Sequence, residues 1–495
     1  MRGQGSNARN IPVTVVSLVG LGPRRRGCVQ TIGKGCSNCS KPLRLQMAAL
    51  RLHQVRCILQ RSVRQQQLCH ESSTFPSPVI RVTPNPSLFD QKVLITVDGL
   101  PSRAKVTLQA SVHHSWRRED VVFVSYGHYV AREGGRVDLD KDPSLGGSFT
   151  GVEPMGLFWS LAAVPGHPPN IRLMWKDVNK PCDIQLTVFS DHITPDERSV
   201  SRAAVEPTPL CTTTASRFIK AADVRRIEIR EGRVRGTLFL PPGDGPFPGV
   251  IDMFGTAGGI IETRAALLAS HGFAALSLAF FRYLDLPPVL DKIQLDYFEE
   301  AVEWLSSQTV VRPGGIGIVG VSAGATIATA TAWLCPKVKA VVGINGPPFA
   351  FITDMYRNGK LLRKARLMDY SLLEQTEYGA IVKQCLSYDT SDLLPVWETS
   401  VHLLLLMSDD DQLNDPKWAE HFQTMYPEDK RHLIELVRYP GAGHLLEPPY
   451  APHCYVCLNT GAGLDCVWGG QPKLHAAAQE KAWAKTITFL HTNLP

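Results

Sequence analysis

From about residue 206 onward, the chain alternates short, almost wholly apolar runs with segments of helical periodicity, and this alternation constrains its fold most strongly. The apolar runs include "PGVIDMFGT", "GFAALSLAF", "GIGIVGV" and "VHLLLLM", and the helical segments include "ETRAALLASHG" and "QLDYFEEAVEWLSSQ". Strands that are apolar on both faces belong to parallel sheets covered by helices on both sides. The sequence therefore predicts an α/β fold with a mostly parallel sheet over residues 206–495.

Two other regions depart from this alternation. Residues 76–205 carry short strand-like runs such as "KVLITVDGL" and "DIQLTVFSDH", separated by Gly, Pro and Asp, which predicts an antiparallel β-sandwich domain without an evident catalytic constellation. Residues 346–400 interrupt the α/β pattern with a long mixed segment. We expect this segment to cap the carboxyl edge of the sheet, where ligands of α/β proteins usually bind.

The first 75 residues form a basic leader. Residues 1–70 hold 12 of the 52 Lys and Arg and none of the 46 Asp and Glu, so the rest of the chain is net acidic. On a helix starting near Met47, apolar residues share one face while arginines stay solvated, which is typical of a mitochondrial presequence. The alternatives are a secretory signal using "IPVTVVSLVGLG" at 11–22 and a disordered leader without an address. A mitochondrial matrix location is expected, with a cytoplasmic one as the alternative.

Several classes of partner are disfavoured. The acidic body gives no general reason to expect nucleic acid. No apolar run approaches the roughly 18–20 residues that span a bilayer, so no stable membrane span is expected. Cys36 and Cys39 form one CxxC pair, and Cys454 and Cys457 form another, but over 400 residues separate them. That spacing does not suit a four-ligand zinc site, so reduced cysteines and no metal are expected.

The clearest chemical motif is "GVSAG" at 320–324. Ser322 follows the apolar strand "GIGIVGV" and opens the small-residue helical run "AGATIATATAWL". This strand–turn–helix context is the one required of a nucleophile elbow, with Gly320 and Gly324 removing side chains that would collide. The alternative is an ordinary loop serine beside packing glycines. The sequence therefore predicts Ser322 as the nucleophile.

A serine nucleophile needs a base and an acid. His444 lies in "YPGAGHLLEPPY", at the end of a late strand, and is predicted to accept the serine proton. The stretch "SDDDQLND" places four acids after another strand, and one buried carboxylate among them would orient the histidine. Asp411 is preferred and Asp410 is second, which gives the order Ser, Asp, His that is typical of α/β-hydrolases.

The oxyanion of a tetrahedral intermediate needs backbone donors. One is predicted to be the N–H of Ala323, the residue after the nucleophile. The other is expected from the loop "GTAGG" at 255–259, with Thr256 and Ala257 as the candidates, because this loop follows the early strand "PGVIDMF". The alternative for this loop is a flexible turn.

Longer stretches carry a closer resemblance. "VIDMFGTAGGIIETRAALLASHGFAALSLAFF", "GIGIVGVSAGA", "VGING" and "YPGAGHLLEPPY" resemble the family of type I acyl-CoA thioesterases and bile acid-CoA:amino acid N-acyltransferases. "GGSFTGVEPMGLFWSL" resembles the end of that family's N-terminal β-sandwich domain. The resemblance runs from about residue 76 to the C-terminus. It implies an α/β-hydrolase fold, an acyl-CoA substrate, no cofactor or metal, and a triad of Ser322, His444 and Asp411.

The resemblance also separates hydrolysis from transfer. The acyltransferases of the family carry cysteine at the elbow, whereas serine forms an ester intermediate that water can resolve. The leading hypothesis is therefore an acyl-CoA thioesterase that releases a free fatty acid and CoA. Conjugation of the acyl group to glycine or taurine is one alternative, and a catalytically silent lipid-binding protein is another. The stretch "SAGA" departs from the family's usual "SKGG", and the acid loop is longer than the family's.

Overall fold

The computed structural model describes residues 77–116, 119–167, 170–193 and 208–494. The basic leader, on which the predicted localisation depends, lies outside these described residues. A single unit comprises Phe75–Pro495, so the β-rich and α/β parts that follow belong together. A search of the described helices finds none with the length and apolar character needed to cross a membrane.

The first part of this unit is built from two β-sheets. Its elements are β1 (Val79–Thr83), β2 (Ser87–Leu88), β3 (Leu94–Asp98), β4 (Lys105–Trp116), β5 (Glu119–Val130), β6 (Val137–Asp138), helix α1 (Gly156–Trp159), β7 (Ala162–Ala163), β8 (Cys182–Ser190) and β9 (Pro209–Phe218). One sheet has the order β1-β3-β6 and the other β2-β9-β8-β4-β5-β7. Apolar side chains of both, such as Ile95 and Phe123, enter one core, while the predicted sandwich arrangement stays a prediction.

Strand β9 extends the six-stranded sheet beyond residue 205, the predicted end of the first domain. The predicted boundary at residue 205 falls between β8 and β9, yet these strands pair antiparallel along nearly their whole length. The six-stranded sheet therefore continues to Phe218. Local patterning could not reveal this, because β9 is assigned to the sheet by its pairing with β8 and β2, which are distant in sequence.

The second part contains an eight-stranded sheet, further short strands that lie outside it, and several helices. Its strands are β10 (Arg225–Glu231), β11 (Val234–Leu240), β12 (Gly249–Met253), β13 (Ala274–Ala279), β14 (Ile293–Gln294), β15 (Ile316–Val321), β16 (Val338–Ile344), β17 (Met355–Arg357), β18 (Lys360–Arg363), β19 (Glu374–Gln375), β20 (Ala380–Ile381), β21 (His402–Ser408), β22 (Ile434–Tyr439), β23 (Val456–Asn459) and β24 (Leu464–Val467). Its α-helices are α2 (Thr263–Ser270), α3 (Leu295–Ser306), α4 (Ala323–Leu334), α5 (Lys417–Thr424) and α6 (Pro472–Asn493).

The large sheet has the order β10-β11-β13-β12-β15-β16-β21-β22. From β13 to β22 all neighbouring strands are parallel, and the hairpin β10–β11 adds an antiparallel edge. Successive side chains of one strand enter different cores: Leu403 packs with helices α3, α4 and α5, and Leu404 packs with α2 and α6. Burial on both faces explains why these strands are apolar throughout. The predicted α/β-hydrolase class, with helices on both faces of a mostly parallel sheet, is confirmed.

Residues 346–400 form an irregular segment after β16, where the sequence predicts a cap. It contains the short strands β17 to β20 and four 3₁₀ turns at Tyr370–Leu372, Lys383–Cys385, Thr390–Asp392 and Val396–Glu398; a fifth 3₁₀ turn, Glu428–Leu433, precedes β22. Strand β20 pairs with β24, and β17 pairs with β14, so the segment is joined to loops that follow other strands of the sheet. It therefore supplies part of a wall above the carboxyl edge.

Candidate active site

Ser322 lies on a sharp turn between β15 and α4. Its backbone has φ 56° and ψ −125°, a region that non-glycine residues rarely adopt. The Ser322 N–H donates to the carbonyl oxygen of Ile344 at 2.8 Å, which ties the turn to the end of β16. The side chain is half-buried and lines a cavity. This strained geometry agrees with the strand–turn–helix context that the sequence predicts.

The two glycines of the motif are required by close backbone approach. A Cβ on Gly320 would lie 2.3 Å from the carbonyl oxygen of Gly324. A Cβ on Gly324 would lie 2.4 Å from the carbonyl oxygen of Phe254, at the end of β12. Neither contact can be relieved by a side-chain rotation, because both involve backbone atoms. The glycines therefore allow β12, β15 and α4 to meet directly behind Ser322.

His444 lies in the loop after β22 and is 1% exposed. Its N–H donates to the carbonyl oxygen of Trp468 at 2.8 Å, and its ring lies against the Trp468 ring with centroids 5.3 Å apart. The Nδ1 atom lies 2.7 Å from Oδ2 of Asp411. Because a carboxylate only accepts, Nδ1 donates, and Nε2 of neutral His444 is left as an acceptor. This is the tautomer that a general base needs.

Asp411 is completely buried, and each of its oxygens has a defined partner. Oδ2 faces His444, while Oδ1 accepts from the N–H groups of Leu413 at 2.7 Å and Asn414 at 3.0 Å. These hydrogen bonds fix the orientation of the carboxylate. The arrangement is that of an acid that orients a histidine.

The neighbouring acids have other partners. Asp409 pairs with Arg438 at 2.7 Å, and Asp415 accepts from the N–H of Lys417 at 3.0 Å. Asp410, the second choice from the sequence, accepts from the N–H of Gly470 at 2.9 Å and from the Gln412 amide at 2.6 Å. Of the four acids, Asp411 is therefore the one brought against His444.

The predicted oxyanion donors lie beside the serine. Ala323 opens α4, so its N–H has no acceptor within the helix and points out of the helix N-terminus. Thr256 and Ala257 line the same cavity as Ser322 and His444. The Ala257 carbonyl accepts from Thr460 Oγ1 at 3.2 Å, which holds the loop against the β23–β24 turn. The oxyanion role of all three residues stays a prediction.

Asn345 forms several buried hydrogen bonds, and the sequence patterns did not predict a role for it. It is fully buried at the end of β16 and has φ 48°. Its Nδ2 donates to Ser408 Oγ at 2.9 Å and to the His444 carbonyl at 2.8 Å, and its Oδ1 accepts from Ser408 N–H at 2.8 Å. Its own carbonyl accepts from Asn414 Nδ2 at 2.8 Å. The only signal in the sequence is an Asn–Gly pair directly after an apolar strand.

His475 in helix α6 is a second residue that the sequence did not reveal. Its Nδ1 accepts from Gly443 N–H at 3.0 Å, and its Nε2 donates to the Leu445 carbonyl at 3.0 Å. Burial lowers the pKa of His475 to about 3, so it stays neutral and can fill both roles. Because Gly443 and Leu445 flank His444, the imidazole of His475 holds the loop that carries the base.

Two cavities meet at Ser322 and Thr256. The larger has a volume of about 510 Å³, and its lining includes the basic side chains of His114, Arg172 and Lys176 from the β-rich part of the chain. The smaller, of about 360 Å³, is lined by apolar side chains of the 346–400 segment and its neighbours: Phe351, Ile352, Leu367, Met368, Val382 and Leu413. The sequence showed no functional residues before 206, so this basic lining is a finding of the tertiary structure.

No metal centre is found in the ranges that the structure describes: no group of three or more His, Cys, Asp or Glu side chains there could hold a metal ion. The site presents a serine, a histidine, a carboxylate and backbone N–H groups. Together these groups can form and break an acyl–oxygen bond.

Comparison with known proteins gives two family matches. Residues 90–231 match "Acyl-CoA thioester hydrolase/BAAT N-terminal region", and residues 293–495 match "BAAT / Acyl-CoA thioester hydrolase C terminal". The first match crosses the predicted boundary at 205, as does the six-stranded sheet. The second contains Ser322, Asp411 and His444.

Three relatives illustrate the range of the family. "Acyl-coenzyme A amino acid N-acyltransferase 1" of Mus musculus is 39% identical over 83% of this chain and 97% of its own length. "Bile acid-CoA:amino acid N-acyltransferase" of Mus musculus is 38% identical over 84% of this chain and 97% of its own. "Acyl-coenzyme A thioesterase 2, mitochondrial" of Homo sapiens is 36% identical over 82% of each chain. The relatives thus carry names of both thioesterases and acyltransferases.

The site geometry predicts how a serine-reactive probe will behave. A fluorophosphonate should label Ser322 in the full chain, and Asp411→Asn should slow labelling by about 10⁴-fold, because the amide favours the wrong histidine tautomer. Asp409→Asn is the matched control, since its partner is Arg438, and it should label at the wild-type rate. Labelling is followed by peptide mass spectrometry. Equal rates for the two variants would remove Asp411 from the site, and an unlabelled Ser322 would favour the silent lipid-binding alternative.

Proposed function

The chain belongs to the family of acyl-CoA thioester hydrolases and BAAT proteins, and from this premise we propose that it hydrolyses fatty acyl-CoA to a free fatty acid and CoA. The observation that carries the proposal is the buried pair of His444 and Asp411, because His444 lines the same cavity as a strained serine at the junction of two cavities. Ser322, His444 and Asp411 are the proposed triad.

The proposed reaction has two stages. Ser322 Oγ attacks the thioester carbonyl while His444 Nε2 takes its proton, and the carbonyl oxygen becomes an oxyanion that accepts from the N–H of Ala323 and of the 255–259 loop. The carbon–sulfur bond then breaks, and the CoA thiolate leaves with the proton from His444. Water, deprotonated by His444, attacks the acyl-serine ester. The carbon–oxygen bond to Ser322 breaks, the serine regains its proton, and the fatty acid is released.

The two cavities suggest how the substrate is oriented. An acyl chain buries apolar surface, so the cavity beneath the 346–400 segment suits it, with roughly 0.8 kcal/mol gained per buried methylene. The larger cavity suits the CoA moiety, because Lys176 and the Glu447-paired Arg172 line it and can donate hydrogen bonds to phosphate groups. In this orientation the thioester carbonyl lies at the junction, next to Ser322.

Hydrolysis and amine conjugation are separable by their products. With palmitoyl-CoA and glycine or taurine present, wild-type protein should yield mainly free palmitate, because water resolves an acyl-serine ester. Ser322→Ala should reduce thiol release to background, a loss on the order of 10⁶-fold. Ser322→Cys should raise the share of conjugate among the products.

The products are identified by mass spectrometry, with CoA release followed by a thiol reagent. Conjugates that dominate over free acid in the wild type would establish acyl transfer instead, the second candidate function, which the transferase names among the relatives favour. Full turnover by Ser322→Ala would show that another residue is the nucleophile.

The cavity assignment predicts a chain-length effect. Met368→Trp places a larger side chain in the wall of the apolar cavity and should lower kcat/KM for palmitoyl-CoA about tenfold or more, with butyryl-CoA almost unaffected. Leu372→Trp lies in the same segment, is exposed and does not line this cavity, so it serves as the matched control. Equal losses for both substrates in Met368→Trp would contradict an acyl-binding role for this cavity.

We propose a mitochondrial address for the basic leader, since the human thioesterase relative is named mitochondrial and the leader is rich in arginine. The full chain with a C-terminal fluorescent tag should co-localise with a matrix marker. Replacing Arg51, Arg56, Arg61 and Arg64 with Gln should leave the fusion diffuse, because presequence import depends on positive charge. A diffuse signal from the unmodified chain would support the cytoplasmic alternative.

A further inference from the structure

The CxxC pair of Cys454 and Cys457 lies next to two adjoining cavities, one of which contains Ser322. Cys457, in β23, lines the cavity of about 510 Å³ that contains Ser322 and His444. Cys454 is half-buried just before β23 and lines an adjoining cavity of about 410 Å³. Both thiols are thus next to openings large enough for a small reagent. The proposed hydrolysis uses neither of them.

The two thiols are chemically unequal. The Cys454 sulfur lies 3.5 Å from the Val456 carbonyl oxygen and within hydrogen-bonding distance of the Cys457 sulfur. The pKa of Cys457 lies below its usual value, first because Cys454 donates this hydrogen bond and second because Arg172 is nearby. The pKa of Cys454 lies well above its usual value, because it is the donor and is buried. A thiol of lowered pKa beside a thiol of raised pKa is the arrangement found in redox-active CxxC motifs.

Cys457 is also connected to the base of the site. Its carbonyl oxygen accepts from Trp468 Nε1 at 3.0 Å. The Trp468 carbonyl accepts from the His444 N–H at 2.8 Å, and the two rings are in contact. In addition, Arg172 is ion-paired at 2.6 Å with Glu447, three residues after His444. A change in the position of Cys457 is therefore transmitted to the imidazole through Trp468.

We propose that Cys454 and Cys457 are a modification site at which a peroxide forms a reversible disulfide, and that this bond lowers the activity of the adjacent Ser322 site. The Cys457 thiolate attacks one peroxide oxygen, the O–O bond breaks, and a sulfenic acid forms as hydroxide leaves and takes up a proton. The Cys454 sulfur then attacks the Cys457 sulfur, losing its proton, and water leaves as the S–S bond forms. Overall, two thiols are oxidised and hydrogen peroxide is reduced to two molecules of water.

The loss of activity follows from geometry. An S–S bond is about 2.05 Å long, so the two sulfurs must come closer than in a hydrogen bond, and β23 or the preceding loop must move. Trp468 then shifts with the Cys457 carbonyl and moves the His444 ring. A displacement of about 1 Å in a catalytic group can cost on the order of 100-fold in rate.

The experiment uses the full chain with the five leader cysteines (Cys28, Cys36, Cys39, Cys57 and Cys69) replaced by serine. Treatment with hydrogen peroxide should lower palmitoyl-CoA hydrolysis at least about tenfold, and dithiothreitol should restore it. Peptide mass spectrometry should find one link between Cys454 and Cys457. Cys454→Ser should keep its basal activity and resist peroxide. Cys466→Ser, which removes the thiol opposite Cys457 in β24, should respond as the parent does.

Three outcomes would overturn the proposal: Cys454→Ser inactivated as fast as the parent, a link between Cys457 and Cys466 instead, or a complete Cys454–Cys457 link with unchanged activity. The assay of palmitoyl-CoA hydrolysis rests on the proposed function, so fluorophosphonate labelling of Ser322 is measured in parallel. If the reduced protein labels at Ser322 but does not turn over acyl-CoA, the proposed function fails, while the effect of the disulfide on labelling still tests the present proposal.

Discussion

The close approach of three backbones around Ser322 is the constraint on which the site depends. Three segments meet there: the carbonyl end of β12, the carbonyl end of β15 and the first turn of α4. Only glycine hydrogens lie between them. This crowding holds Ser322 at φ 56° and leaves its hydroxyl exposed to the cavity rather than to the core. The same contact brings the N-terminus of α4 and the 255–259 loop to one point. The nucleophile and the proposed oxyanion donors are therefore positioned by one packing feature.

His444 and Asp411, the proposed base and acid, are held by buried polar contacts of a different kind. Asn345 joins the end of β16 to Ser408, to the acid loop through Asn414, and to the backbone of His444. His475 reaches the same loop from helix α6. Buried amides and imidazoles are favourable only when their hydrogen bonds are satisfied, so each such group fixes the segments that it joins. These hydrogen bonds thereby fix the positions of three loops, which follow different strands, relative to one another.

The β-rich part of the chain contributes to the site as well as to the fold. Arg172 and Lys176 line the cavity that contains Ser322, and Arg172 is also ion-paired with Glu447, three residues after His444. The 346–400 segment supplies the opposite, apolar cavity. A substrate in which a reactive carbonyl group joins a charged carrier to an apolar chain would fit these two cavities better than a small neutral ester would. Cys457 lines the same cavity as Arg172, so substrate binding and oxidation of the thiols would act on the same strand and on Trp468.

The α/β class, the capping segment after β16 and the turn around Ser322 could all be predicted from the sequence, because periodicity and glycine spacing are local properties of the chain. The order Ser, Asp, His and the candidates His444 and Asp411 followed from where polar residues stand after apolar strands. The tertiary structure decided which acid faces the histidine, that β9 belongs to the first sheet, that residues near 114 and 172 line the cavity, and that Asn345 and His475 hold the base. Each of these depends on contacts between residues far apart in sequence, and such contacts leave no periodic pattern in the chain.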